Sequence, residues 1–333
     1  MGIHEKGTVL VTGASGFLGR RIVKALVENG YSVRALVRST SRVEAIRLSG
    51  VEFVLGDVAD FDSLGSAFMG IDMVIHAAAD TSGSEDGARR VTLGGTSHIL
   101  DLCARYHIKK LVYISSCSVY GVADCQPGQV LDENSPLEQF PERRGAYSQA
   151  KLEAENLVTA CMQEGKVAAV CLRPGTIYGR GGENYTPMLG FNWANKIFAV
   201  IDNKKFVLPL VYVDNLVQAI CVALSSERSA GKIYNVVDPE HVGKRKYMDD
   251  FIRKLHPAAR VFYIPLGLLS TMVAMQEKAF SVLKCPPALT LYRLWSSQNP
   301  VVYDASRIEA DLGWQSRVSF AQAVERIVSC DQH

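Results

Sequence analysis

Three glycines spaced three apart, Gly13, Gly16 and Gly19 in TGASGFLG, directly follow the short apolar run 8–12 and open a segment with helical apolar spacing. A strand that turns at once into a helix needs a residue without Cβ at the tightest point. The helix must then lie close against the strand. Its first turn carries N–H groups with no intrahelical acceptor and the positive end of the helix dipole, so it suits a pyrophosphate. Gly13, Ser15, Gly16, Phe17, Leu18 and Gly19 form the predicted cradle.

The rest of the first half keeps the alternation that such a turn begins. Strands are predicted at 8–12, 32–37, 52–55, 73–76, 110–115 and 167–172, with helical patterns at 17–28 and 91–105. Gly30 is placed to stop the first helix. The pattern predicts an α/β chain, a Rossmann-type doubly wound parallel sheet with helices on both faces. After Pro174 the regularity loosens: 179–182 and 203–205 read as loops, 214–224 as a helix with Asp214 as N-cap, 233–237 as a strand and 319–328 as a helix. The predicted division is a dinucleotide-binding domain at 1–178 that also receives about 206–237. A substrate-binding part of α/β type comprises 179–205 and 238–333.

Composition excludes several function classes. Thirty-six Lys and Arg against 34 Asp and Glu leave a net charge of +2, too little for a global field that would hold nucleic acid or an acidic membrane. Eight cysteines without a C-x-x-C predict neither a metal site nor a disulfide framework, and point to a reducing, cytoplasmic setting. No signal peptide is read at the N-terminus. The most apolar later stretch, 262–273, is too short to span a bilayer and contains Pro265 and Gly267.

At the end of the second strand, where a carboxylate would accept bonds from a ribose 2′-OH, the chain has Val37 and Arg38. Arg38, backed by Ser39 and Arg42, suits a 2′-phosphate; otherwise it is a solvated loop arginine. NADP(H) is therefore favoured and NAD(H) remains open. In LGDVAD, Asp57 is placed either to accept the adenine amino group or to cap a helix, and Val58 follows it at the nucleotide. Ala77 and Ala78 are small enough to let backbone approach the cofactor, and His76 reads as a packed strand-end histidine.

Tyr147 and Lys151 in YSQAK lie four residues apart on one predicted helix face, and Ser116 ends the strand LVYISS. A free phenol titrates near ~10. A nearby ammonium and a positive nicotinamide favour phenolate, letting the tyrosine exchange a proton with a substrate hydroxyl or carbonyl while hydride moves.

TGASGFLG, LGDVAD, VIHAAA, YISSCSVYG, YSQAK, LRPGTIYG and YVDNLVQA occur in this order across nearly the whole chain. Together they resemble the extended branch of the short-chain dehydrogenase/reductase superfamily. The resemblance implies Ser116 as catalytic serine and Tyr147 as acid/base. It further implies Lys151 on the nicotinamide ribose, Pro174 lining the nicotinamide, and a homodimer through a helix pair. One departure is Thr92 in VTLGGT, where the family pattern carries asparagine.

For substrate, the Arg-Asp pair common in sugar-nucleotide enzymes before V-x-D is replaced by Leu208-Pro209. YVDN and the greasy segment 261–283 are more similar to 3β-hydroxysteroid and sterol dehydrogenases, although such a segment also suits a domain core or dimer contact. The expected activity is alcohol–ketone interconversion on an apolar, steroid-like or β-hydroxy-acyl substrate. The alternatives are a sugar-nucleotide epimerase or dehydratase with retained NAD, for which Arg293 or Arg180 would serve a phosphate, and a non-catalytic NADP sensor. Lys244-Arg245-Lys246 reads as a solvated turn, Cys117 as a small buried thiol, and Cys285-Pro286-Pro287 as a loop stop.

Overall fold

The structure is a computed structural model that describes residues 6–285, 287 and 289–331. Pro286 of the expected loop stop and the side chain of Cys330 lie outside the described residues. Seven parallel strands form the main sheet: β1 (Thr8–Thr12), β2 (Ser32–Val37), β3 (Val51–Leu55), β4 (Met73–His76), β5 (Lys110–Ile114), β6 (Ala169–Pro174) and β7 (Ile233–Val236). Their order is β7-β6-β5-β4-β1-β2-β3, so the chain reverses direction across the sheet between β3 and β4. Thr12 then lies beside His76, at the carboxyl ends where α/β sheets bind ligands.

Six helices matter here: α1 (Phe17–Glu28), α2 (Gly95–Arg105), α3 (Ala146–Gln163), α4 (Val213–Ser225), α5 (Leu266–Val282) and α6 (Leu291–Gln298). Strand alternation sorts the core by face. Val9 and Val11 point with Val112 and Val170 toward Ile22, Leu26, Leu216 and Ile220 of α1 and α4. Leu10, Val74 and Leu111 point the other way, toward Ile99 and Leu102 of α2 and Val158 of α3. Both faces are thus dry, which is why these strands read as continuous apolar runs. Gly30 at φ +80° stops α1, its N–H donating to Val27 O at 3.0 Å.

A third cluster, with Tyr178, Phe198, Val200, Tyr247, Phe251 and Phe320, forms the core of the less regular part. It underlies a three-stranded sheet of Gly190–Trp193, Ile197–Asp202 and Arg260–Pro265.

Several expectations are corrected. β6 begins two residues later than the apolar run implied, because Ala169 N turns back to Val167 O at 2.9 Å. The helix expected at 91–105 begins earlier, at Glu85 with Ser84 as its cap, and passes through a π-helical stretch at Ala88–Gly94, an i→i+5 geometry that apolar spacing does not distinguish. Asp214 is not an N-cap: α4 starts at Val213, and the carboxylate pairs with Arg21 at 2.8 Å. No helix was expected at 266–282, yet Pro265 occupies the N-cap of α5, where its missing N–H costs nothing. Lys244 is not in a solvated turn. It begins the short helix Lys244–Tyr247 and is 3% exposed; its Nζ donates to Ile201 O at 3.1 Å and to Gln298, and burial lowers its pKa to about 7. Arg245 and Lys246 are exposed and paired with Asp202 and Asp250.

Candidate active site

The glycine turn is built so that side chains cannot replace two of its glycines. Gly13 has φ +67°, and a Cβ there would lie 2.9 Å from the Ala77 carbonyl and from Ala78 N. At Gly19 a Cβ would lie 2.0 Å from Gly13 O, so α1 packs on its own turn. The helix start has no side-chain cap and no acidic residue in its first turn. Its leading amides, with Gly16 exposed and Ser15 half-buried beside them, are left for an external anion, and this fits a dinucleotide pyrophosphate. The side chains of Phe17 and Leu18 do something sequence did not indicate. Phe17 lies under the 179–182 loop, where a Cβ on Gly182 would meet its ring at 2.6 Å, and Leu18 joins the first and third cores.

Along the sheet, Arg38 is exposed past the end of β2, its N–H held by Ser41 Oγ at 2.9 Å. Asp57 does not cap a helix; its Oδ1 accepts from Ala59 N at 3.0 Å. Val58 is buried against Gly95. Ala77 and Ala78 are half-buried beside Gly13, and Ala78 N donates to Thr12 Oγ1 at 3.3 Å. His76 is buried between Thr12 (2.7 Å) and Thr96 (3.1 Å), and burial, aided by the charge of Lys151, lowers its pKa to about 3. It is a neutral packed histidine. Thr92 Oγ1 accepts from Asp80 N at 3.0 Å, tying the loop after VIHAAA to the π-helical stretch.

Ser116, Tyr147 and Lys151 are brought together. Ser116 sits just past β5 with its Oγ accepting from Ser118 N at 3.1 Å, and its hydroxyl lies near enough to the Tyr147 phenol to favour the phenolate. Lys151, one turn along α3, is 3% exposed and donates Nζ to Ile114 O at 2.7 Å. Burial raises the Tyr147 pKa, against the opposing influence of the Ser116 hydroxyl, and brings Lys151 down to about 8. Desolvation is the largest influence on the phenol, and Lys151 Nζ donates to the Ile114 carbonyl. Pro174 ends β6 and is buried.

Behind this trio lies a buried ion pair that the sequence reading did not single out. Glu155 follows Lys151 by four and Tyr147 by eight on the same helix face, and binds Arg173 with Nε–Oε1 at 3.0 Å. Glu155 also accepts from Ser115 Oγ, and Arg173 reaches Tyr120 OH at 2.8 Å. The available signals were a carboxylate on the Tyr147 face and an arginine inside the apolar strand AVCLRP. Cys117 is buried as expected, with burial pushing its thiol up. The exposed Arg293 guanidinium lies against Gly145, where a Cβ would be 3.1 Å from Nη2. Among the described residues, no cluster of metal-ligating side chains is present.

The profile of the NAD dependent epimerase/dehydratase family matches residues 9–236. The chain belongs to that family. It is an extended short-chain dehydrogenase/reductase, an oxidoreductase built on a Rossmann fold. This NAD dependent epimerase/dehydratase relative is 28% identical to the 4-hydroxy-2-methyl-3-oxo-4-farnesyl-3,4-dihydroquinoline-1-oxide ketoreductase of Stigmatella aurantiaca, covering 95% of this chain and 94% of that one. It is 26% identical to 3beta-hydroxysteroid-dehydrogenase/decarboxylase isoform 1 of Arabidopsis thaliana, over 97% and 79%. The solved structure of gox2253 shares the fold at a TM-score of 0.80 and 21% identity, over 98% and 99%.

Proposed function

We propose that this family member reduces a ketone, or oxidises the corresponding secondary alcohol, on an apolar steroid-like or β-hydroxy-acyl substrate. The observation that carries this reading is the placement of the Ser116 hydroxyl beside the Tyr147 phenol, with Lys151 buried one turn along the same helix and its Nζ fixed on Ile114 O at 2.7 Å. A bound nicotinamide supplies or takes the hydride. In the reducing direction Tyr147 gives its phenolic proton to the substrate oxygen as hydride reaches the carbonyl carbon, and Ser116 Oγ donates a hydrogen bond to that oxygen. Lys151 binds the nicotinamide ribose, and its charge favours the phenolate that remains.

Leu208-Pro209 in place of an Arg-Asp pair supports an apolar substrate, as do the ketone and steroid named for the two relatives. Arg38, exposed where a 2′-phosphate would lie, supports NADP(H) over NAD(H). Free thiols at all seven cysteines described support a reducing cytoplasm, and the family resemblance supports a homodimer. One observation favours a second reading, a sugar-nucleotide epimerase or dehydratase: the exposed guanidinium of Arg293 beside Gly145 suits a diphosphate.

The deciding experiment is to denature the protein purified without added nucleotide and identify what it releases. An empty protein that binds NADPH more tightly than NADH, and then consumes it with an apolar ketone, is the expected result. Stoichiometric NAD(H) would overturn it in favour of the epimerase.

A further inference from the structure

α5 is apolar on nearly every side and yet mostly uncovered. It carries two charged residues, Glu277 and Lys278, and buries only Leu269 and Val273. Leu268, Met272 and Met275 follow helical spacing along one face and are 56%, 53% and 61% exposed. The neighbouring three-stranded sheet continues this surface. Trp193 pairs with Ile197, and Phe191 and Phe262 both pair with Ala199, so these side chains share the outer face; the four large ones are exposed. Leu269 and Val273 pack on Ile201 of the same face, so helix and sheet adjoin. An apolar surface of this kind marks a partner or a membrane.

Charge identifies which. Lys196, Lys204, Lys205, Arg260, Lys278 and Lys284 are all exposed on this unit. Its two acids are engaged, Asp202 with Arg245 at 2.9 Å and Glu277 with Leu291 N at 3.1 Å. The cationic excess is local, since the whole chain carries only +2. A second copy docked here about a two-fold axis would bring like charges together. We propose that this face seats the chain on an anionic lipid surface, with Trp193, Met272 and Met275 entering the headgroup boundary and the cations meeting lipid phosphates. Among the described residues no helix is long and apolar enough to cross a membrane, so the chain lies on the surface. The docked face adjoins the candidate site: Gln276 Nε2 donates to Leu289 O at 3.0 Å, just before the helix whose Arg293 lies against Gly145. The docking stands apart from the proposed activity.

The test is flotation of the full chain with vesicles of phosphatidylcholine alone and with added phosphatidylglycerol, alongside sedimentation to read the oligomeric state. Binding to the anionic vesicles is expected, falling about ten-fold on the neutral ones. The double variants Met272→Glu/Met275→Glu and Lys196→Glu/Arg260→Glu should each lose about ten-fold with unchanged melting temperature. Absence of binding to either vesicle would overturn the proposal, as would variants that float like the parent. So would a dimer that both double variants dissociate, since a second copy would then own the face.

Discussion

The ammonium of Lys151 donates to the carbonyl of Ile114 at 2.7 Å, fastening α3 to the end of the strand that leads into Ser116. The bond fixes the spacing of the candidate trio, and the burial that accompanies it brings the Lys151 pKa to about 8. Against an unfolded value of ~10.4, the buried charge opposes folding below the folded pKa, and this penalty fades as pH rises toward the unfolded one. If the charged amine supports turnover, kcat/KM should fall above about pH 8. In Lys151→Arg the residual rate should lack that alkaline limb, because a guanidinium stays charged. A pH profile of both proteins checks this.

Tyr147→Phe removes the proton donor and leaves the glycine cradle untouched. Turnover should drop by about 10²–10⁴-fold while dinucleotide affinity stays within about two-fold. Steady-state kinetics with a titration of NADPH fluorescence would measure both; an active variant would sink either enzymatic reading.

Gly19→Ala places a methyl 2.0 Å from Gly13 O, where only backbone can give way. We expect a loss of about 1–3 kcal/mol in stability and loss of measurable dinucleotide binding. Denaturant unfolding and calorimetric titration would show them; a variant that binds normally would mean the turn is not the cradle.

The Glu155–Arg173 pair is buried on both sides, at 1% and 2% exposure. Removing one partner strands a charge, so Glu155→Leu or Arg173→Met alone should cost about 3–5 kcal/mol. The double variant should recover much of that loss, because both charges leave together. A double-mutant cycle in urea reads the coupling directly.

The hairpin Gly190–Trp193 to Ile197–Asp202 turns through Ala194 and Asn195, both with positive φ (49° and 58°). Ala194 holds a Cβ in the left-handed region, so Ala194→Gly should raise the thermal midpoint by an amount equivalent to about 1 kcal/mol, measurable by calorimetry, and it leaves the Asn192–Asn195 side-chain bond in place.

Much of this molecule was legible in its sequence. The strand–glycine–helix opening, the alternating apolar runs and the i, i+4 spacing of Tyr147 and Lys151 are set by sterics between chain neighbours, so a linear reading finds them. Tertiary structure decided what depends on desolvation by distant segments. Lys244 has the sequence neighbours of a solvated turn, yet Ile201 and Gln298 close over it. Spacing places the Tyr147 phenol one turn from Lys151, but how far that hydroxyl is desolvated is set by the segments packed around it. Glu155 and Arg173 lie far enough apart in sequence that only the packing of α3 on β6 makes them a pair. The same apolar segment that suggested a pocket or core became, in α5, an uncovered surface. Periodicity records which face is apolar; what covers that face is a property of the fold.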